Sequence, residues 1–505
     1  VRPARGLCID VAETVTATRE FAGLAAAAEN RRLRHWYARG VAAEITRMPT
    51  LRLHRRRVRG DLDPFAAFLR VRGSEPGVVL EAGPPSSIGP QRALVLFRPR
   101  SIVRVDAGSD RRGERPLDRL ESAFGPRRSV EGAQPGRFCG GYAGLLAYDV
   151  GRTLERVPAT ARSASAAPDA WFALFDRFVE FDLATGVVEA GFVEGLADDA
   201  RPQTVLDDIQ RALDAPAPES GEFRTGTALR SNFDAAAYRA AVSTVREHIR
   251  LGEVYQVNLA QRFETEFHGC AEALYARLRA ANPAPYAAFV ATGDVAVLSS
   301  SPESFLARIG DEVTTRPIKG TRRRSGDAVA DAHAVAELSA SMKELSELNM
   351  IVDLLRNDLG RVACAGGVEV VDTGSIEAFA TVFHRVATVR ATLRPGTTTR
   401  DLLAATFPGG SITGAPKIAA MAVIEALERV RRGVFCGSIG WIGVNGNVAL
   451  NIAIRTLVVE AGRVHFHVGG GVVYDSDPQA EYDETLAKGA ALAKALGLPL
   501  VTPGA

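Results

Sequence analysis

Short apolar runs separated by glycine and proline turns occupy most of the first half of this 505-residue chain. Between about residues 60 and 195 they read GVVLEAG, ALVLFRP, GLLAYDV, WFALFDRFVEFDL and GVVEAGFVEG. Runs of that length with such punctuation predict strands of a largely antiparallel sheet. A Pro-, Gly-, Ser- and Glu-bearing stretch, LDAPAPESGEFRTGTALRSNFD, then predicts a linker. A helix follows, DAAAYRAAVSTVREHIRLG, opened by Asn232 or Asp234. Strands are predicted at VYQVNLAQRF, YAAFVAT, VAVLSSS, GSIGWIGV, VALNIAIRTLVVE and RVHFHVGGGVV, with helices over about 330–357 and 415–431. The last helix is capped by Asp477 and started by Pro478. No 20- to 50-residue repeat and no GxGxxG after a strand occurs. The fold class is α+β: large antiparallel sheets forming a sandwich, with helices packed outside. The domains expected are a helical, alanine-rich extension over 1–45, a first lobe over 46–210, a linker over 211–231 and a second lobe over 232–498.

Composition excludes several classes. Hydrophobic residues at 46% and charged residues at 24% are ordinary for a globular protein. A net charge of +2 leaves no global nucleic-acid footprint. The local run LRLHRRRVRG, 51–60, is read as an exposed strand face, with nucleic-acid contact as the alternative. Five scattered cysteines, Cys8, Cys139, Cys270, Cys364 and Cys436, form no CxxC and fit a reducing cytoplasm. No run approaches the roughly 18 apolar residues of a membrane span. The N-terminus lacks a secretory apolar core, and its arginines are mixed with acids, against a transit peptide. A cytoplasmic protein binding neither membrane nor nucleic acid is therefore expected.

Several constellations can carry chemistry. The cations are almost all arginine; only five lysines occur, at 319, 343, 417, 488 and 494. Lys319 stands in TTRPIKGTRRR, and an ammonium, unlike a guanidinium, can lose its proton and act as nucleophile or base. In SMKELSELNMIVDLLRNDLG, Glu344 and Glu347 share a helix face, as do Glu481 and Glu484 in DPQAEYDETLAKGAALAKAL, where Lys488 joins them. Two such pairs can cradle a hard cation such as Mg²⁺ or simply be solvated helix charge. TFPGGSITGAPK is glycine-rich and opens a helix, yet Ala415-Pro416 replaces the Lys-Ser/Thr of a phosphate loop. VGGGVVYDSD either holds a carboxylate or makes a tight turn. Arg455 interrupts an apolar strand and should meet a carboxylate. His384 is another polar strand residue; His465 and His467 share one face without a third ligand and are read as structural.

Taken together, these stretches resemble the chorismate-utilising enzymes: anthranilate synthase component I, aminodeoxychorismate synthase component I, and the isochorismate and salicylate synthases. FCGGYAGLLAYD marks the first lobe. GEVYQVNLAQRF, NPAPYAAFV, SSSPESFL, RPIKGTRRR, ELNMIVDLLRNDLGRV, FPGGSITGAPK, CGSIGWIG, IAIRTL and DSDPQAEYDET mark the second. The resemblance implies an anthranilate synthase component I-like fold and chorismate as substrate. It implies Mg²⁺ held by Glu347 and Glu484, supported by Glu344 and Glu481, gripping the ring carboxylate. Lys488 and the backbone of Gly469, Gly470 and Gly471 would lie beside that carboxylate. Arg455 would take the enolpyruvyl carboxylate, His384 would sit near the ring, and Ser411, Gln256 and Thr321 would complete the substrate contacts.

Two positions separate the members. Isochorismate and salicylate synthases carry a water-activating lysine where this chain has Gln256, and an amide cannot serve as that base. Anthranilate synthases usually read PIAGT where this chain has PIKGT, as aminodeoxychorismate synthases do. The resemblance thus implies Lys319 as nucleophile at C2 and Glu303, in SPESF, as acid for the C4 hydroxyl. The product would be 4-amino-4-deoxychorismate, on the way to 4-aminobenzoate and folate; anthranilate synthase is the alternative, and a non-catalytic ligand-binding relative a further one. Relatives usually carry tyrosine at Phe435. VVLEAGPPSSIG only loosely matches the LLES element that binds tryptophan in anthranilate synthases, so feedback is not expected, while a structural tryptophan stays open. No GxCxG glutaminase motif occurs, and Cys139 belongs to the synthase's own glycine motif. Ammonia is therefore expected from a separate glutamine amidotransferase subunit forming a heterodimer, with no fused pyridoxal-phosphate lyase after the last helix.

Overall fold

The computed structural model describes residues 50–58, 60, 62–82, 91–106, 115–197, 200–219, 221–379 and 382–500. The predicted 1–45 extension lies outside them. Leu51–Ala505 clusters as one compact unit.

Among the described residues two large sheets form, of 14 and 10 strands, almost entirely antiparallel. Both halves of the chain build both sheets. In the larger, Gly77–Leu80 pairs with Tyr286–Ala291; in the smaller, Gly141–Leu146 pairs with Ser438–Gly443. The 211–231 stretch therefore joins halves that share their sheets. It holds the end of the Pro202–Asp214 helix and two short strands, Phe223–Thr225 and Arg230–Ser231, both paired to Gln256–Gly269.

Three apolar clusters give the layers. One lies between the sheets, joining Leu51, Val78, Leu94 and Val297 of the larger to Ala143, Leu145, Trp171 and Ile439 of the smaller. A second packs the helices Pro64–Arg72, Pro202–Asp214, Ala271–Ala281 and Pro478–Leu496 on the larger sheet. The third packs Pro116–Phe124, Met342–Gly360 and Thr399–Thr406 on the smaller. This is the predicted sandwich with outer helices, each sheet burying one face on its partner and the other under helices.

Three predicted elements are each divided, and WFALFDRFVEFDL is Ala170–Phe175 in the smaller sheet and Arg177–Asp182 in the larger. The helix expected over 330–357 is two, Ala328–Ala340 and Met342–Gly360, because Ser341 takes an extended backbone and its hydroxyl accepts from Glu344 N as an N-cap. The strand expected through VALNIAIRTLVVE is Val448–Asn451 in the smaller sheet and Thr456–Glu460 in the larger. Arg455 sits in the crossover at φ 50°, so the residue read as interrupting a strand marks where the chain changes sheets. Asp234 and Asp477 cap their helices as expected.

At the joint of the smaller sheet Gly144 stands opposite Gly440. A methyl group on Gly144 would collide with the backbone of Trp171 and Phe172. Gly144→Val is expected to destabilise the fold by at least about 2 kcal/mol, through backbone displacement in a packed layer. Urea unfolding would read this as a lower midpoint; an unchanged midpoint would reject the close-packed joint.

Candidate active site

The Gln256–Gly269 strand pairs with Arg463–Val472 so that Asn258, Leu259 and Ala260 face Gly471, Gly470 and Gly469. This glycine end of a strand is bare because side chains from elsewhere lean over it. A methyl on Gly470 would stand 3.1 Å from Glu481 Oε2 and 3.3 Å from Glu484 Oε1. One on Gly471 would strike the Gln256 amide and lie 3.4 Å from Lys319 Nζ. The two glutamates come from the Pro478–Leu496 helix. Ser476 Oγ donates to Glu481 at 2.6 Å, and Lys488 lies 2.6 Å from Glu484 while donating to Gly469 O at 3.0 Å.

The other pair comes from Met342–Gly360. Glu344 accepts from Arg322 at 2.9 Å, and its Oε2 is buried without a hydrogen-bond partner. Burial pushes the Glu347 carboxyl above its usual range, against the attraction of Lys319; Glu484 pushes the same way as burial. The two pairs therefore converge. The far end of this helix is tied down by a buried ion pair, Lys417 to Asp358 at 2.6 Å, from the start of the Lys417–Glu428 helix. One half of such a pair left alone would be a desolvated charge, so the contact fixes the helix in place.

Lys319 projects from the Ile318–Arg323 strand, whose register against Val382–Leu393 shifts between Lys319 and Thr321, at Gly320 with φ 81°. Such a bulge re-aims a side chain. Burial lowers the pKa of Lys319, and Lys488 adds to this; Glu347, Glu303 and Glu484 oppose it. The cation acting with burial is thus a lysine across the site rather than the neighbouring arginines. Arg322 and Arg316 are held by Glu344 and Glu337, and by Glu377. Glu303 is 6% exposed; burial raises its pKa, opposed by a hydrogen bond with Ser411 and by Lys319.

Across the smaller sheet Thr321 lies opposite His384, with Oγ1 2.9 Å from Nδ1. Burial and then Arg455 pull His384 down to about 4, which keeps the imidazole neutral near pH 7. Burial alone lowers Arg455, and no carboxylate of the described chain pairs with it; the expected carboxylate is not one of its own. Gln256 is 1% exposed, with Oε1 unpartnered. Phe435 stacks on His467 with ring centroids 5.1 Å apart. All the predicted site residues thus fall around one region where the two sheets and two helices meet. Arg322, Lys343 and Ser476 were not predicted there. Lys343 acts on Glu347, Glu481 and Glu484, and its place one residue before Glu344 on a scarce-lysine chain was the available signal.

The remaining motifs resolve differently. In the Leu51–Arg57 strand, Arg52 pairs with Glu131, Arg55 with Glu180 and Glu189, and Arg56 with Asp207. Those three guanidiniums have partners within the chain; Arg57 is exposed, and Arg59 lies outside the described residues. His465 pairs with Glu460 in the core. Glu81 of VVLEAG is taken by Arg279 and Tyr275, and residues 83–90 of that stretch lie outside the description. Among the described residues no three His, Cys, Asp or Glu side chains are already gathered for a metal, and no helix is long and apolar enough to cross a membrane.

Comparison with known proteins bears on this arrangement. Aminodeoxychorismate synthase component 1 of Salmonella typhimurium is 41% identical over 351 residues, 70% of this chain and 75% of that one. Anthranilate synthase component 1 of Thermus thermophilus is 36% identical over 459 residues, 89% of this chain and 98% of that one. The crystal structure of anthranilate synthase component I from Streptococcus pneumoniae matches with a TM-score of 0.70 at 30% identity, covering 86% of this chain and 98% of that one. The menaquinone-specific isochorismate synthase of Escherichia coli, at 17% identity and a TM-score of 0.66, shares the fold. A family model described as chorismate binding enzyme matches residues 80–494, and the chain belongs to that family of enzymes acting on chorismate.

Proposed function

We propose that this chain is the synthase component of an aminodeoxychorismate synthase, converting chorismate and ammonia to 4-amino-4-deoxychorismate. The observation carrying this reading is Lys319: a desolvated amine that Glu303, Glu347 and Glu484 all reach electrostatically. At the matching position anthranilate synthases usually have alanine, which cannot form a covalent intermediate.

The chemistry follows from the two partners. Lys319 Nζ adds to C2 of chorismate, both ring double bonds shift, and the C4–O bond breaks as Glu303 delivers a proton to make water. The amine gives up its own proton in forming the C2–N bond. Ammonia then adds at C4, both double bonds shift back, and the C2–N bond breaks as the proton released by ammonia returns to the lysine. Covalent capture divides one difficult substitution into two easier ones. Glu303 suits the acid role because burial favours its protonated form. Arg455, free of internal carboxylates, is placed for a substrate carboxylate by bidentate hydrogen bonds. Neutral His384, its Nδ1 occupied by Thr321, presents its other nitrogen toward the ring.

The glutamates fit Mg²⁺. The donors are all oxygen, Glu344 Oε2 is buried and unpartnered, and two carboxylates plus substrate oxygens are a normal magnesium set. Glu347 and Glu484 would hold it, with Glu344 and Glu481 beside them. A divalent ion there would neutralise the glutamate cluster and supply an anchor for the ring carboxylate. Ammonia would come from a separate glutamine amidotransferase subunit, since no GxCxG motif lies in the chain; the product would lead to 4-aminobenzoate and folate.

With chorismate, Mg²⁺ and ammonium, the isolated chain is expected to yield 4-amino-4-deoxychorismate by mass and NMR; fluorescent anthranilate would establish the alternative instead. Glutamine in place of ammonium should give no product without a second subunit. Lys319→Ala should abolish normal turnover and any chorismate adduct detected by intact mass, while Glu303→Gln should slow turnover by about 100- to 10,000-fold. An unchanged rate in either variant would defeat the mechanism. Adduct formation without ammonia should follow a bell-shaped pH profile, because the reactive form needs Lys319 neutral and Glu303 protonated. Its limbs belong to the coupled pair rather than to either residue. A rate independent of pH would remove both groups from the reaction.

A further inference from the structure

Five carboxylates, Glu303, Glu344, Glu347, Glu481 and Glu484, and five cations, Lys319, Arg322, Lys343, Lys488 and Arg455, surround the site. Moving the Lys319 proton to Glu303 leaves the balance unchanged, at four and four. A divalent cation alone adds two positive charges to this balanced enclosure, and a dicarboxylate substrate alone adds two negative ones. Together they add none. Electrostatics of a partly desolvated site therefore favour joint occupancy over either ligand singly.

One side chain stands where this coupling is decided. Lys488 lies one helical turn beyond Glu484, 2.6 Å from its Oε1, and donates to Gly469 O at 3.0 Å. It thus occupies the same carboxylate oxygen that faces Gly470, at the meeting point of the second glutamate pair. Its side chain is 41% exposed, so it is free to swing, and a lysine is a compact point charge on a flexible stem. Arg322 holds Glu344 differently. Its fork is shared with Glu337 on another helix, which makes that contact a fixed brace.

We propose that Lys488 is the resident cation of the metal seat, and that its displacement couples metal binding to substrate binding. Metal arriving at Glu484 deprives Lys488 of its carboxylate partner, leaving an ammonium beside a divalent ion with one carbonyl contact. A substrate carboxylate landing by Gly469 gives that ammonium a new anion. Substrate thus lowers the cost of metal entry, and by reciprocity metal tightens substrate by the same factor. The proposal rests on the magnesium reading above.

Calorimetric titration of the intact chain with Mg²⁺, with and without saturating chorismate and with no ammonium, tests it. Lys488→Met removes the competitor and should bind Mg²⁺ in the free enzyme on the order of tenfold more tightly than the natural chain, as expected for losing one partly exposed ion pair and the repulsion behind it. The enhancement that chorismate brings should shrink by a similar factor. Lys488→Arg, which keeps the charge, should keep the weak free-enzyme affinity. Equal free-enzyme affinities in Lys488→Met and the natural chain, with chorismate still enhancing Mg²⁺ binding in both, overturn the coupling role alone. Absence of Mg²⁺ binding by the natural chain even with chorismate overturns the magnesium reading and this proposal together.

Discussion

Carboxylates gathered at one point repel one another, and a partly desolvated cluster of them persists only where opposite charge is set among them. Glu347 and Glu484 reach Lys319 from two helices that lie apart in sequence, and the rest of the site is arranged around that attraction. Gly470 and Gly471 are bare so that the acids and the amine can approach the strand. The bulge at Gly320 turns Lys319 toward them, and the Lys417–Asp358 pair holds the helix carrying Glu344 and Glu347. Each device costs stability locally, through a missing side chain, a broken register or a buried charge. Together they hold an amine with a depressed pKa against a set of anions.

The division between arginine and lysine follows from the same physics. Arginines brace the scaffold: Arg55 and Arg137 share Glu180 and Glu189, and Arg432 grips Glu428 in the core. A planar fork that stays charged suits a fixed, bidentate contact. Three of the five lysines, Lys319, Lys343 and Lys488, surround the glutamates, and Lys417 anchors a helix behind them. The proposed roles that need a cation to lose a proton or change partners both fall on lysines.

Family membership narrows the chemistry without choosing among the members, since relatives of both the aminodeoxychorismate and anthranilate types match at similar identity. The proposed choice rests on Lys319, beside Gly320; Phe435, where relatives usually carry tyrosine, stacks on His467.

Local patterns are readable from the chain because they depend on neighbours a few residues away. Alternating apolar runs, Asp234 and Asp477 as caps, and the three-residue spacing within each glutamate pair are of that kind, and all stand where they were expected. Elements whose limits depend on distant partners were not readable. The break at Ser341 carries a local cap, whereas the sheet change at Arg455 lies within a pattern that continues locally and ends only where the chain packs into the second sheet. In the arginine run read as an exposed strand face, Arg52, Arg55 and Arg56 find their acids on strands and a helix more than seventy residues away. The sequence by itself pointed to the residues that line this region and to a sandwich of large antiparallel sheets. The tertiary structure alone decided that two separate acidic pairs share one lysine, because electrostatic attraction and desolvation act through space and leave no mark in spacing along the chain.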